Sequence, residues 1–177
     1  MKTKNLFFLV LFFSITNLLG GCATTRINTS TSIAMDKAGS WGILPFDNHT
    51  TVPFAGQRAQ KLAAALLQSR GIANIHFPPS SPNPMPIGQS ANNPQQYVAW
   101  AKENNIRYLI SGSVDEWRYK VGLDGEPAVS FTLELRDVSS DASLWRGAAS
   151  ASGRYWQSAG VLAQSTLDRL IKRLLSE

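Results

Sequence analysis

The 177 residues contain one cysteine and two histidines, so the side chains most used to hold metals or shuttle protons are almost missing. One Cys excludes a disulfide framework and any multi-cysteine zinc or iron–sulfur centre. His49 and His76 flank different predicted strands, and no third ligand accompanies them. No H-E-x-x-H, G-x-S-x-G, G-x-G-x-x-G, P-loop or C-x-x-C pattern occurs, so the sequence implies neither cofactor nor resident metal. Asp115-Glu116 could serve as a carboxylate pair for glycoside hydrolysis. Adjacent strand residues point to opposite faces, however, and without a bulge the two cannot converge on one bond. The sequence therefore makes no positive case for an enzyme. Charge is also sparse: 16% of residues are charged against 44% hydrophobic, which excludes a solvated disordered polymer. A folded part near 150 residues is single-domain in size and can bury roughly two-thirds of its unfolded surface.

The longest opening apolar run, Leu6 to Phe13, has eight residues and is far too short to span a bilayer. It follows Lys2 and Lys4 and precedes Leu19-Gly20-Gly21-Cys22. A basic n-region, a short apolar h-region and small residues before a cleavage point make residues 1–21 a signal peptide. The Leu-Gly-Gly-Cys end is similar to the bacterial lipobox, whose cysteine carries the lipid. Cys22 is therefore the expected lipidation site and Ala23 the residue that, by the lipobox rule, favours the outer membrane. More than one acyl chain makes such an anchor stable. Removing residues 1–21 leaves 15 bases against 12 acids, a net charge of +3 that is too weak for a nucleic-acid binder.

Residues 22–39 read as the lipidated Cys and a Thr/Ser-rich tether, and residues 40–177 as one globular α+β domain. Within it, Trp41 to Phe46 and Ile72 to Phe77 are short strands. Ala59, Leu62, Ala63, Leu66 and Leu67 mark a helix over about 55–70, with Gly71 ending it. Residues 78–93 hold five of the nine prolines and form a loop; Asn93-Pro94 starts a helix reaching about Asn104. Arg107 to Lys120, the alternating segment around Val129 to Arg136, and Leu144 to Tyr155 are strands, with Asp124-Gly125 at a hairpin turn. Leu167, Leu170, Ile171 and Leu174 mark a final helix over about 159–175. The expected fold is a two-layer domain: a mixed sheet of about five strands and three helices.

The acids cluster. Residues 115–141 carry seven acids and three bases, whereas 51–76 carry Arg58, Lys61 and Arg70 and no acid. In a closed oligomer the acidic segment would repeat around an axis and focus potential on a passing cation. Trp145, next to Arg146 in a strand of small residues, is either a membrane-interface aromatic or a core plug facing the final helix.

The stretch Trp41-Gly42-Ile43-Leu44-Pro45-Phe46-Asp47-Asn48, followed by Pro53-Phe54-Ala55-Gly56-Gln57-Arg58, resembles the CsgG/LpoB/TolB-amino-terminal superfamily of bacterial envelope proteins. Ser111 to Lys120 and Gly122 to Val129 resemble, more narrowly, the PelC family, outer-membrane lipoproteins of the Pel exopolysaccharide export system. The resemblance implies a closed ring of identical subunits beneath the outer membrane, working with a PelB-like β-barrel exporter. It implies an acidic surface guiding a cationic amino-sugar polysaccharide and an aromatic belt at the membrane. By motif position Asp115 is the expected guiding carboxylate, with Glu116, Asp124 and Glu126 beside it, and Trp145 the belt aromatic. Two relatives of the same superfamily suggest other roles. An LpoB-like module would activate a peptidoglycan synthase, but it needs a long arm, and 17 flexible residues reach only roughly 20–25 Å. A CsgG-like pore would give strands to a barrel, and the 128–137 strand has the length and alternation for it.

Overall fold

The computed structural model describes residues 24–30, 35–79, 94–119 and 125–175. Ten elements follow in order: β1 (Thr24–Thr29), β2 (Trp41–Ile43), β3 (Asp47–Asn48), α1 (Ala55–Gln68), β4 (Ile75–His76), α2 (Pro94–Glu103), β5 (Tyr108–Tyr119), β6 (Pro127–Asp137), β7 (Ser143–Ser152) and α3 (Ala159–Leu175). They build one mixed seven-stranded sheet in the order β1-β7-β6-β5-β2-β4, with β3 continuing alongside β5. β1, β7, β6 and β5 are antiparallel neighbours, while β2, β3 and β4 run parallel to β5 or to each other.

Alternation in β6 sets the two faces. Val129, Phe131, Leu133 and Leu135 are buried on one side, and Ser130, Thr132, Glu134 and Arg136 lie on the other. α1 and α3 both lie on the buried side. Ala59, Ala63 and Leu67 of α1 and Leu162, Leu167, Leu170 and Ile171 of α3 join Trp41, Ile43, Ile110, Val114 and the β6 row in the main core. Gly71, with φ of 91°, turns the chain away after α1, in the left-handed region that glycine alone enters freely. α2 packs on the opposite face at one end, where Ala101 meets Leu44, Ile106, Leu109 and Val138 in a smaller cluster. The α+β, three-helix, single-sheet expectation holds, with α2 adding a partial third layer. Beyond α2 the second face of the sheet carries no helix among the described residues.

The sheet is wider than expected. β3 is a two-residue strand that the turn residues Asp47-Asn48 concealed, and β1 falls within the segment read as a tether. Thr24 to Thr29 pair along their full length with Ser152 to Gly147, and the Ser30 amide continues the ladder to the Arg146 carbonyl at 2.8 Å. Backbone hydrogen bonds hold this edge strand, so it needs little of the apolar alternation that reveals a strand in sequence. The second predicted strand is shorter than its apolar run, with only Ile75 and His76 paired.

Candidate functional site: the open face of the sheet

β5 interrupts its ladder once. Val114 pairs with Phe131 and Glu116 with Ser130, leaving Asp115 as an extra residue in a β-bulge. The extra residue shifts the alternation, so that Trp117 returns to the main core. Asp115 contacts Ser113 and Thr132, and Glu116 stands opposite Ser130, all on the helix-free face. The two carboxylates expected on opposite faces therefore share one, and the bulge is the physical reason.

Asp115 is held from three sides. Its Oδ1 accepts from Ser113 Oγ at 2.7 Å and lies 3.1 Å from His49 Nδ1, and its Oδ2 accepts from Thr132 Oγ1 at 2.9 Å. His49 arrives there because its backbone amide extends the β3 ladder, donating to the Val114 carbonyl at 3.0 Å. The carboxylate is oriented yet open: the Asp115 side chain keeps 35% of its exposure and His49 58%. Glu116 pairs with Arg118 at 2.6 Å. His49, Thr50, Asp115, Glu116, Arg118 and Ser130 border a shallow groove here. Farther along β6, Glu134 bridges Arg136 (3.0 Å) and Arg146 (3.1 Å), and Arg136 also reaches Asp141 at 3.0 Å. Exposed pairs of this kind contribute on the order of 0–1 kcal/mol each, so the face is a field of weak charges. Tyr97 of α2 has its hydroxyl pKa raised, by burial first and by the Asp47 charge second.

The other expected site residues fare differently. Glu126 is half-buried beside Pro127, which pairs with Tyr119; that is four residues, about 13 Å of strand, beyond Asp115. It belongs to the end of the sheet and not to the Asp115 cluster. Asp124 and Cys22 lie outside the described residues. Trp145 requires a correction, because it is 1% exposed and lies in the main core, not on a surface. Its ring lies over Gly147, where an added Cβ would sit 2.3 Å from the Trp145 Cη2 and 3.0 Å from Leu170 Cδ1. Gly147 receives this ring, and Ala149 and Ala151 share its buried face of β7. The core-plug alternative is the correct one.

The exposed aromatics lie elsewhere. Tyr155 (70% exposed) and Trp156 (62%) stack edge to face at 4.6 Å in the turn between β7 and α3, and Arg154 lies 5.0 Å over the Trp156 ring. Tyr119, also exposed, is tied to that turn: its hydroxyl donates to the Gln157 carbonyl at 3.0 Å and accepts from the Ala159 amide at 3.1 Å. Ser152 at the end of β7 pairs with Thr24, so this aromatic end is also the end at which β1 begins. The adjacent pair Tyr155-Trp156 between Gly153 and Ser158 was the available sequence signal, masked by reading the strand through to Tyr155.

Among the described residues no three His, Cys, Asp or Glu side chains gather as a metal site, and no helix is long and apolar enough to cross a membrane. What these features define is a class: an α+β domain with one helix-covered face and one open, charged sheet face. No protein-family profile and no curated protein sequence matches the chain. Solved structures do. A PelC dodecamer from Paraburkholderia phytofirmans, in space group P6, superposes with a TM-score of 0.75 at 29% identity, covering 87% of this chain and 99% of that one. A point variant of that dodecamer, in space group C2, gives 0.71 at 30% identity over 84% and 98%. Lipoprotein GNA1162 from Neisseria meningitidis shares the fold at 17% identity, with a TM-score of 0.55 over 78% of this chain and 99% of that one. The chain belongs to the PelC family.

Proposed function

We propose that this protein is an outer-membrane lipoprotein, anchored through Cys22 and facing the periplasm. It assembles as a closed ring that guides a cationic amino-sugar polysaccharide towards a PelB-like β-barrel exporter. It acts by contact and not by catalysis. The observation that carries this reading is the match over almost the whole of a subunit that forms a dodecamer. The open sheet face supports it, because a translocation guide has to bind loosely at many points, and solvated carboxylates such as Asp115 and Glu116 do so. Since β1 begins at Thr24, two residues after Cys22, the aromatic end lies within about 7 Å of chain from the acylated sulfur-bearing residue. Tyr119, Tyr155 and Trp156 then form the membrane-facing rim, in the interfacial zone where Tyr and Trp are enriched. Glu126, at the end of the sheet, and Asp124 are proposed as weaker guiding groups.

The rival roles fit less well. An activator that spans the periplasm needs a long arm, and the strand start at Thr24 removes most of the expected tether. A barrel-forming hairpin would have to withdraw β6 from between β5 and β7, where its apolar row fills the core.

The test is polymer secretion by a cell carrying Asp115→Asn with Glu116→Gln. Secretion is expected to fall several-fold at unchanged protein level and unchanged native mass. Normal secretion from that strain would sink the guiding role, and a strictly monomeric lipoprotein in membranes would sink the ring.

A further inference from the structure

α2 stands over the open face of the sheet without closing on it, and the gap is a cleft of about 670 Å3. That volume falls within the ~300–1,000 Å3 of small-ligand sites. Its two sides differ in chemistry. Leu44, Val98, Ala99 and Leu109 make an apolar wall at the helix side, whereas Ser111, Ser113 and Thr132 make a hydroxyl-lined floor. Beside the floor, Arg136 is bonded on both sides, to Glu134 at 3.0 Å and Asp141 at 3.0 Å, and the second Glu134 oxygen is bonded to Arg146 at 3.1 Å. These groups hold one another in place and nearly cancel one another's charge. Asp47 and Lys102 at the border add one charge of each sign. A ligand of strong net charge gains little from such a site, and a fully apolar one would strand its polar floor.

We infer that this cleft binds uncharged sugar rings of a passing glycan chain, one short segment per subunit. A pyranose ring has the matching shape: an apolar C–H face for the Leu44–Ala99 wall, and hydroxyl edges for the Ser111–Thr132 floor. The preformed ion-pair chain lowers the cost of ordering polar partners on binding. His49 borders both this cleft and the Asp115 groove, so a chain seated in the cleft continues directly onto Asp115 and Glu116. The inference rests on the polysaccharide-guiding reading and gives it a second kind of contact, for uncharged units, next to the carboxylates that suit cationic ones.

The experiment is saturation-transfer NMR on the full-length lipoprotein in nanodiscs, with the N-acetylglucosamine trimer as probe. The cationic glucosamine trimer and inorganic phosphate serve as comparison arms. Transfer from the neutral trimer is expected, with affinity falling at least tenfold in Ala99→Trp, which fills the cleft from an exposed helix position. Ser111→Ala, the milder second variant, is expected to weaken it several-fold, and Lys61→Ala, exposed on the helical layer, to leave it unchanged. Absence of transfer from the neutral trimer, its displacement by phosphate, or indifference of its binding to Ala99→Trp would each overturn the inference. Secretion by the Asp115→Asn, Glu116→Gln strain is read separately, so failure of the guiding role and failure of the cleft leave different records.

Discussion

Trp145 and Gly147 act as one packing unit. The indole fills the space that any side chain at 147 would need, and Leu170 of α3 closes over both. Trp145→Ala removes one of the largest fully buried side chains, a change that costs about 3–5 kcal/mol in a core. Gly147→Ala forces the ring aside, an overpacking worth about 1–3 kcal/mol. Both variants are expected to lower the thermal midpoint measured on the lipoprotein, and to lower its abundance in cells. Secreted polymer should fall in proportion to that abundance. Trp156→Ala with Tyr155→Ala is the opposite case: these rings are exposed, so stability should hold while binding of a soluble, unacylated form to lipid vesicles drops several-fold. Unchanged vesicle binding would remove them from the membrane rim. A tryptophan's role was beyond the sequence here, because adjacency to Arg146 describes a surface strand and a core strand equally well. The deciding fact is which face of β7 meets α3, and that is a tertiary property.

Among the elements, the β6–β7 turn has its own acid-sensitive lock. Asp137 accepts from the Ser139 hydroxyl and amide and from the Ser140 amide and hydroxyl. The Ser139 side-chain bond, then the Ser140 backbone bond, lower its carboxyl from the usual 3.8 to about 2. A depressed folded-state pKa means the ionised form stabilises the fold. That contribution is whole above about pH 4 and is lost as pH falls towards 2. The stability difference between the wild type and Asp137→Asn should therefore be constant from pH 7 to 4 and shrink between 4 and 2; chemical denaturation along that series reads it. Periodicity made the longer elements legible: the apolar stripes give α1 and α3 nearly to the residue, and the alternation from Val129 to Arg136 gives β6. Thr24 to Thr29 offered one large apolar residue, Ile27, and so β1 read as a tether. The bulge at Asp115 left no trace in composition, and the face that Glu116 shares with it could not be derived from a period of two.

Taken whole, the molecule is two-sided. Arg58, Lys61, Arg169 and Lys172 are exposed on the helical layer, while on the sheet face opposite Asp115, Glu116 and Glu134 are interleaved with Arg118, Arg136 and Arg146. Arg58 and Lys61 come from the acid-free segment and Asp115, Glu116 and Glu134 from the acid-rich one, and folding puts the two sets on opposite faces of the domain. Its net charge of +3 after removal of residues 1–21 thus says little about what the open face attracts. Raised salt should weaken glycan contacts at the carboxylate groove, where charges are solvated, and leave the neutral trimer in the cleft almost unaffected. Titrating both probes at 50 and 500 mM salt measures the difference.

β1 also has a mechanical meaning. Under the proposed anchoring at Cys22, a pull between membrane and domain enters at Thr24, and its component along β1 runs down the axis of an edge strand. Its ladder to β7 is then loaded in shear, all rungs together, instead of being unzipped from one end. The anchor line is thus a structural member of the sheet. A long chain dragged past the subunit would strain six paired residues at once before the domain could tilt or drift from its place.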